Sequence, residues 1–342
     1  MSIISMINSA LILEDVPYSF CPGTILQNGK RTIRINNLLG EGCFGKVYSV
    51  NIAGTKRRFA MKTVPLNEEN LGEVRILNLL RRHQSHKHNI VDTEVSFAER
   101  ISGKTHIFIL MERMGISLDE FLKCRDFYPF VLRDVRAVAK QVLKALKHLS
   151  KLGVVHADLK PSNLLCTLLT SKFEVKLADF GNSGLLDTVP KLGGSIQAMG
   201  FRAPEILFDL PFDERIDIFS LGAVLAEMYT GRALFPAENN LQLTKFQYDL
   251  IGMPVNAYQG SKFEELYAIN PKNRKYEPKP DTSQDYRTYS MRSVRDIVKY
   301  GRSCNGLKET TTFVFLLEDL LAANLFQRPT AKEALQMDFF RA

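Results

Sequence analysis

The sequence predicts an α+β chain in two lobes, a small sheet-rich one holding a single helix and then a large, mostly helical one. Two observations predict this. In the first hundred residues, short segments rich in β-branched and aromatic residues alternate with glycine-containing turns. After Gly115 the apolar residues recur at steps of three and four. At 342 residues the chain is long enough for two lobes sharing a cleft, or for one large domain.

Taken in order, Met1–Leu13 is mildly apolar but lacks a basic start and a small-residue cleavage site, and it runs into Glu14 and Asp15. It reads as an arm on the body or a loosely ordered tail, and no secretory signal is expected. Thr32–Leu39, Lys46–Ile52 and Arg58–Val64 read as strands, and Glu68–Arg82 as a helix with Val74, Leu77 and Leu80 on its apolar face. Val91–Phe97 and Thr105–Met111 are strands again. In the second lobe Val131, Val135, Val138, Val142, Leu146 and Leu149 make one apolar helix face, closed by Gly153. Helices are further expected at Asp213–Thr230, Asn239–Ile251, Thr311–Ala323 and Ala331–Met337. Asn270–Ser293, rich in Lys, Arg, Pro and Tyr, reads as linker-like.

Composition is ordinary for a globular protein, at 45% hydrophobic and 24% charged, with no repeats. No apolar run is long enough for a membrane-spanning helix. The five cysteines, Cys21, Cys43, Cys124, Cys166 and Cys304, lack paired zinc or disulfide spacing, which points to thiols in a reducing compartment. The net charge of +8 favours acidic partners at long range but reads first as a solvated basic surface, and nucleic acid is not implied.

Four segments carry chemistry. Gly40-Glu41-Gly42-Cys43-Phe44-Gly45-Lys46-Val47 lies between two predicted strands, where glycines let backbone amides approach phosphate oxygens. Gly-rich hairpins are commonly plain turns, and the strand on either side argues against a dinucleotide fold, which needs a helix there. Lys62 sits among apolar residues on the next strand. It is either a snorkelling surface lysine or a charge aimed at α- and β-phosphates, with Glu73 as its ion-pair partner in preference to Glu68 and Glu69.

In His156-Ala157-Asp158-Leu159-Lys160-Pro161-Ser162-Asn163, Asp158 can orient an incoming hydroxyl and Lys160 can neutralise a transferred phosphoryl. Asn163 can offer its amide oxygen to a metal. A polar loop whose Asp and Asn merely cap turns is the plain alternative. Asp179-Phe180-Gly181 follows after 16 residues, and its carboxylate suits Mg²⁺, a hard cation that prefers oxygen. The four segments in this order imply that Asp158, Asn163 and Asp179 converge with Lys62 on one nucleotide and its metal.

These residues resemble the signature set of the eukaryotic protein kinases over nearly all of Asn36–Phe340. Ala203-Pro204-Glu205 matches the end of the family's activation segment, and Asp217-Ile218-Phe219-Ser220-Leu221-Gly222 its catalytic-loop anchor. Gln327-Arg328-Pro329-Thr330 matches the late arginine that pairs with Glu205. Within the CMGC group the chain is most similar to the homeodomain-interacting protein kinases, with DYRK and CLK relatives. Val155-His156-Ala157-Asp158-Leu159-Lys160-Pro161, Leu210-Pro211-Phe212 and Leu118-Asp119-Glu120-Phe121-Leu122-Lys123 carry that similarity.

The resemblance implies a bilobal kinase fold with a small antiparallel-sheet lobe at residues 32–114 and a mostly helical lobe at 115–342. A 1–31 arm precedes them, and an insert lies around 255–302. It implies ATP and Mg²⁺ as cofactors and Ser/Thr side chains of proteins as acceptors, at work in the nucleus or cytoplasm. Met111 becomes the gatekeeper, the backbones of Glu112 and Met114 hold adenine, and Val47, Ala60 and Leu165 join the nucleotide site. Asn270–Arg302 becomes a flexible loop or a basic dock for an acidic partner.

The chain also departs from that pattern. No tyrosine lies between Asp179 and Glu205, and the relatives' tyrosine, arginine and following aromatic read Ser195, Met199 and Gly200. This puts a preference for proline after the acceptor in question. Ala157 replaces the arginine that most kinases pair with an activation-loop phosphate, leaving Lys191 and Arg202 as the nearest cations for a phosphate on Thr188 or Ser195. Activity is therefore expected to depend little on loop phosphorylation. A catalytically silent scaffold is the rival reading, opposed by the intact Lys62, Glu73, Asp158, Asn163 and Asp179. A small-molecule phosphotransferase is opposed by Ala203-Pro204-Glu205, Asp217 and Arg328.

Overall fold

A computed structural model describes residues 19–42, 45–169, 172–188, 196–280, 291–302, 304 and 306–341. The apolar opening segment, Cys43, Phe44, Lys191 and Ser195 lie outside the described residues. Contacts divide the chain into a first unit, through Gly115 plus Ala178–Ser183, and a second, Ile116–Leu177 plus Gly184 onward.

The first unit is built on β1 (Ile25–Asn28), β2 (Arg31–Gly42), β3 (Gly45–Ile52), β4 (Arg58–Pro65), helix α1 (Glu68–Arg82), β5 (Thr93–Ile101) and β6 (Lys104–Glu112). The strands form one antiparallel sheet in the order β1-β2-β3-β4-β6-β5. Alternate residues face the core, so Ile33, Ile35, Tyr48, Val50, Phe59, Met61, Phe108 and Leu110 bury together with Phe20. The Phe20 N–H donates to the Tyr48 hydroxyl at 3.1 Å. The sheet thus reaches back past residue 32: Phe20 and β1 lie ahead of the point where the sequence begins the first lobe, and both are part of it.

Helix α1 has the bounds its sequence predicts. The Asn67 side chain accepts the Asn70 N–H, Glu68 and Glu69 sit in the first turn, and Arg81 and Arg82 in the last. Leu71, Val74, Leu77 and Leu80 are buried, and so is Glu73.

The second unit opens with β7 (Ile116–Ser117), α2 (Leu118–Cys124), α3 (Leu132–Lys151), β8 (Val154–Val155), β9 (Leu164–Leu169), β10 (Lys172–Leu177) and β11 (Gly184–Leu185). It continues with α4 (Pro204–Leu207), α5 (Arg215–Thr230), α6 (Asn240–Ile251), α7 (Phe263–Leu266), β12 (Tyr267–Ile269), β13 (Tyr276–Pro278), α8 (Leu307–Leu320) and α9 (Ala331–Ala334). Helix α3 buries the face read from its periodicity, and Gly153 follows it at φ 66°. Helix α5 is buried on all sides, as its near-continuous apolar run requires. Gly222 allows this, because a Cβ there would stand 2.9 Å from Leu321.

The linker-like reading of Asn270–Ser293 needs correcting. Tyr276–Pro278 pairs with Tyr267–Ile269, and a 3₁₀ turn, Val294–Tyr300, buries Val294 and Ile297 beside the buried Met291. Three-residue strands are too short for periodicity to reveal, and their pairing depends on a partner elsewhere in the chain. Residues 281–290 of this segment lie outside the described residues.

Candidate active site

In the first unit, antiparallel pairing sets Lys62 opposite Val47 on β3 and Ile109 on β6, deep in the sheet. Its Nζ donates to Glu73 Oε1 at 2.8 Å, to Glu73 Oε2 at 2.9 Å and to Asp179 Oδ1 at 2.8 Å. The snorkelling reading is therefore wrong: a residue 7% exposed holds its ammonium inside. Burial by itself disfavours that charge, but the carboxylates of Glu73 and Asp179 outweigh it and hold the ammonium above the ordinary lysine value. Burial pushes the Glu73 carboxyl up, and Lys62 works against that push. Glu68 and Glu69 are exposed in the first turn of α1, and Glu68 reaches only Arg75.

Asp179 adopts a left-handed φ of 62°, Phe180 behind it is buried, and its side chain remains about one-third exposed at 34%. Gly181 closes the corner, where a Cβ would lie 3.5 Å from Asp179 Oδ1 and 3.7 Å from Lys62 Nζ.

The glycine hairpin links β2 and β3, with Gly42 opposite Gly45 and irregular register at Ile35/Asn37 and Leu38/Gly40. A Cβ at Gly40 or Gly42 would meet nothing within 4 Å, so their backbones are open to a ligand. Gly45 differs: at φ 143° a Cβ would sit 2.2 Å from the Thr63 carbonyl. Ala60 lies opposite Met111 across the β4–β6 pair. The Glu112 N–H donates to Asp92 O at 2.9 Å, and its carboxylate accepts the Asp92 N–H at 2.7 Å, which braces the strand leading to Met114.

In the second unit the loop from His156 to Asn163 is held by Asp217 of α5. Its carboxylate accepts the N–H groups of His156 at 2.8 Å and Ala157 at 2.9 Å. Ala157 sits at φ 60°, a left-handed position that costs a non-glycine residue about 1 kcal/mol and needs such bracing. Burial raises the Asp217 carboxyl, against the pull of His156 and of the two N–H groups. Lys160 Nζ donates to Asp158 Oδ2 at 2.8 Å. Asn163 Nδ2 donates to Asp158 O at 2.8 Å and to Asp158 Oδ2 at 3.1 Å. That grip turns the amide oxygen of Asn163 away from Asp158. Leu165 lies on β9, paired with Lys176 and Ser117.

Sequence reasoning missed Gln197. Its N–H donates to Ala157 O at 2.8 Å, its amide nitrogen to Ile216 O and Ser220 Oγ, and its amide oxygen accepts the Ala203 N–H at 3.0 Å. The buried side chain thus joins α5 to the start of α4, while its own backbone N–H ties the same residue to the His156–Asn163 loop. Nothing local marks a lone glutamine in a loop for this role. Arg202 is not a surface cation waiting for a loop phosphate: it is 8% exposed and donates to Asn240 Oδ1 and Gln197 O. The expected Glu205–Arg328 pair forms inside the unit, at 2.6 and 3.1 Å. Thr188 is exposed, and its hydroxyl donates to Leu185 O.

The oxygen donors fit a magnesium ion that arrives with phosphates. Asp179 in the first unit carries a carboxylate and Asn163 in the second an amide oxygen, each a donor of the kind magnesium takes, and among the described residues no cluster of three or more His, Cys, Asp or Glu could hold a metal unaided.

The chain belongs to the protein kinase family: the family model described as protein kinase domain matches residues 33–340. Its similar proteins include homeodomain-interacting protein kinase 1 of Caenorhabditis elegans, 30% identical over 88% of this chain and 39% of that protein. Homeodomain-interacting protein kinase 4 of Homo sapiens is 32% identical over 64% of this chain and 36% of its own length. Homeodomain-interacting protein kinase 2 of Mus musculus is 29% identical over 90% of this chain and 25% of its own. The chain therefore spans well under half the length of these relatives. The α+β architecture, with an antiparallel sheet in the first unit and helices dominating the second, is that of the family.

Proposed function

We propose that the chain transfers the γ-phosphoryl group of ATP to serine and threonine hydroxyls of protein substrates, with Mg²⁺. The observation that carries this is the Asp158–Lys160–Asn163 set on a loop braced by Asp217, in a chain whose Lys62 is gripped by Glu73 and Asp179. The acceptor hydroxyl donates a hydrogen bond to Asp158, which orients its oxygen towards the γ-phosphorus and takes the proton. As the new P–O bond forms, the bond to the β-phosphate oxygen breaks and its electrons leave with ADP.

Lys160, which donates to Asp158 at 2.8 Å, balances charge on the moving phosphoryl. Lys62, aimed by Glu73, serves the α- and β-phosphates. Gly40, Glu41, Gly42 and Gly45, with Cys43 and Phe44, form the phosphate-covering turn. Val47, Ala60, Met111, Glu112, Met114 and Leu165 take the adenine. Mg²⁺, when bound by Asp179 and Asn163, neutralises phosphate charge.

Exposed thiols at Cys21, Cys124 and Cys304 support work inside the cell, in nucleus or cytoplasm. Among the described residues no helix is long and apolar enough to cross a membrane.

The test is ATP/Mg²⁺ incubation with a generic basic protein, comparing wild type with Asp158→Asn and Asp179→Asn. Wild type is expected to label serine and threonine, and each variant to fall by about a hundred- to ten-thousandfold. Wild type no faster than Asp179→Asn would instead make the chain a scaffold, the alternative that the Ser195–Gly200 departures keep open.

A further inference from the structure

The second unit also holds a cavity of about 460 Å³, on residues the proposed chemistry leaves unused. Its walls include Phe127 and Tyr128 before α3, Gly231 and Arg232 after α5, and Lys299 and Tyr300. The first wall is held in an uncommon shape. Asp126 and Phe127 both adopt left-handed φ, 49° and 54°, which costs side-chain-bearing residues about 1–2 kcal/mol each. Backbone bonds fix it, from Phe127 N to Leu122 O, Tyr128 N to Arg125 O and Phe130 N to Met228 O, each 2.9 Å. Gly231, at φ 69°, admits the Phe127 carbonyl to where a Cβ would stand 1.8 Å away. As a result Phe127 and Tyr128 are turned outward, 41% and 55% exposed.

Arg232 of the wall lies over Tyr300 at 5.8 Å, and Arg302, just outside the walls, lies over the wall residue Tyr128 at 5.1 Å. Among the described residues neither arginine has an ion-pair partner. The nearby carboxylates are Asp126 and Asp296. Asp296 is already taken, by Lys299 at 2.6 Å and by the N–H groups of Arg292 and Ser293. A guanidinium held over a ring face can still turn its N–H groups to a planar or tetrahedral anion.

We propose that this cavity binds a phosphorylated side chain of a protein partner. A phosphate dianion carries enough charge and enough acceptor oxygens for two guanidinium groups, whereas one carboxylate would satisfy only one of them. The exposed rings supply contact for the stem of the side chain. The volume has room for a phosphorylated side chain with part of the segment that carries it, and the concave aromatic wall does not suit the extended basic track that a nucleic acid backbone needs.

The binding requires neither ATP nor turnover, so it is tested apart from catalysis. An array of phosphopeptides and their unphosphorylated twins is probed with the full chain in the absence of ATP, then titrated in solution. Wild type is expected to prefer the phosphorylated members at least tenfold. Arg232→Glu, at an exposed position, and Arg302→Glu, at a half-buried one, are each expected to lose that preference while keeping the melting temperature and activity on a generic substrate. Binding indifferent to phosphorylation, or unchanged in both variants, or displaced only by duplex oligonucleotide, would overturn the proposal.

Discussion

Lys62 makes three hydrogen bonds to two carboxylates, and the chemistry depends on where that places its charge. Glu73→Gln keeps the shape but removes the fixed counter-charge, leaving Lys62 to Asp179 alone. The expected result is a folded protein with kcat/KM for ATP down about tenfold to a hundredfold, read by steady-state kinetics. Glu227 poses a different residue-scale question. It lies in the buried helix α5, and burial, with a smaller push from Asp119, raises its carboxyl from 4.5 to about 7. A carboxyl whose folded value is raised binds its proton more tightly in the native state. Between roughly pH 4.5 and 7 the native state therefore holds the extra proton, and stability falls as pH rises through that window, by up to about 3 kcal/mol from this group. Glu227→Gln is expected to flatten that slope in urea melts at pH 5 and pH 7. An unchanged slope would assign it to other groups.

At the scale of elements, two junctions carry the argument. The β2–β3 hairpin needs glycine at 45, because any Cβ would enter the Thr63 carbonyl. Gly45→Ala is expected to weaken ATP binding and lower the melting temperature, whereas Gly42→Ala, with open space around it, should leave the melting temperature unchanged. The second junction is the ion pair between α4 and the segment after α8. Arg328 and Glu205 are 0% and 3% exposed, so removing one partner leaves an uncompensated buried charge. Glu205→Ala is expected to destabilise by about 3–5 kcal/mol in chemical denaturation. The His156–Asn163 loop bears on regulation: Gln197 and Asp217 brace it from within, and Ala157 offers no guanidinium to a loop phosphate. Phosphatase-treated protein is accordingly expected to keep its activity within tenfold, and a loss of a hundredfold or more would show that a loop phosphate is required.

At the scale of the molecule, much was legible before the fold was known. Helix α1 was readable to its ends because Asn67, two acidic and two basic residues mark them locally. The strands flanking the glycine turn were readable because glycine and β-branched residues mark them locally, and Glu73 as the partner of Lys62 because it falls within the helical pattern. β1, of four residues, was not legible, since it becomes a strand only by pairing with β2. β12 and β13 stayed hidden for the same reason. The order of the motifs implied that Asp179 and Lys62 meet across 117 positions, but only the fold shows that Ala178–Ser183 as a whole belongs with the first unit. Gln197 looked like any loop amide until its side-chain amide and backbone N–H found four partners in three separate segments. The inventory of reacting groups is thus a property of side-chain type and local spacing, which a linear string records in full. Their partners are not: a buried ammonium finds its carboxylates, and a strained alanine its brace, only when long-range packing excludes water and leaves each polar group one available match.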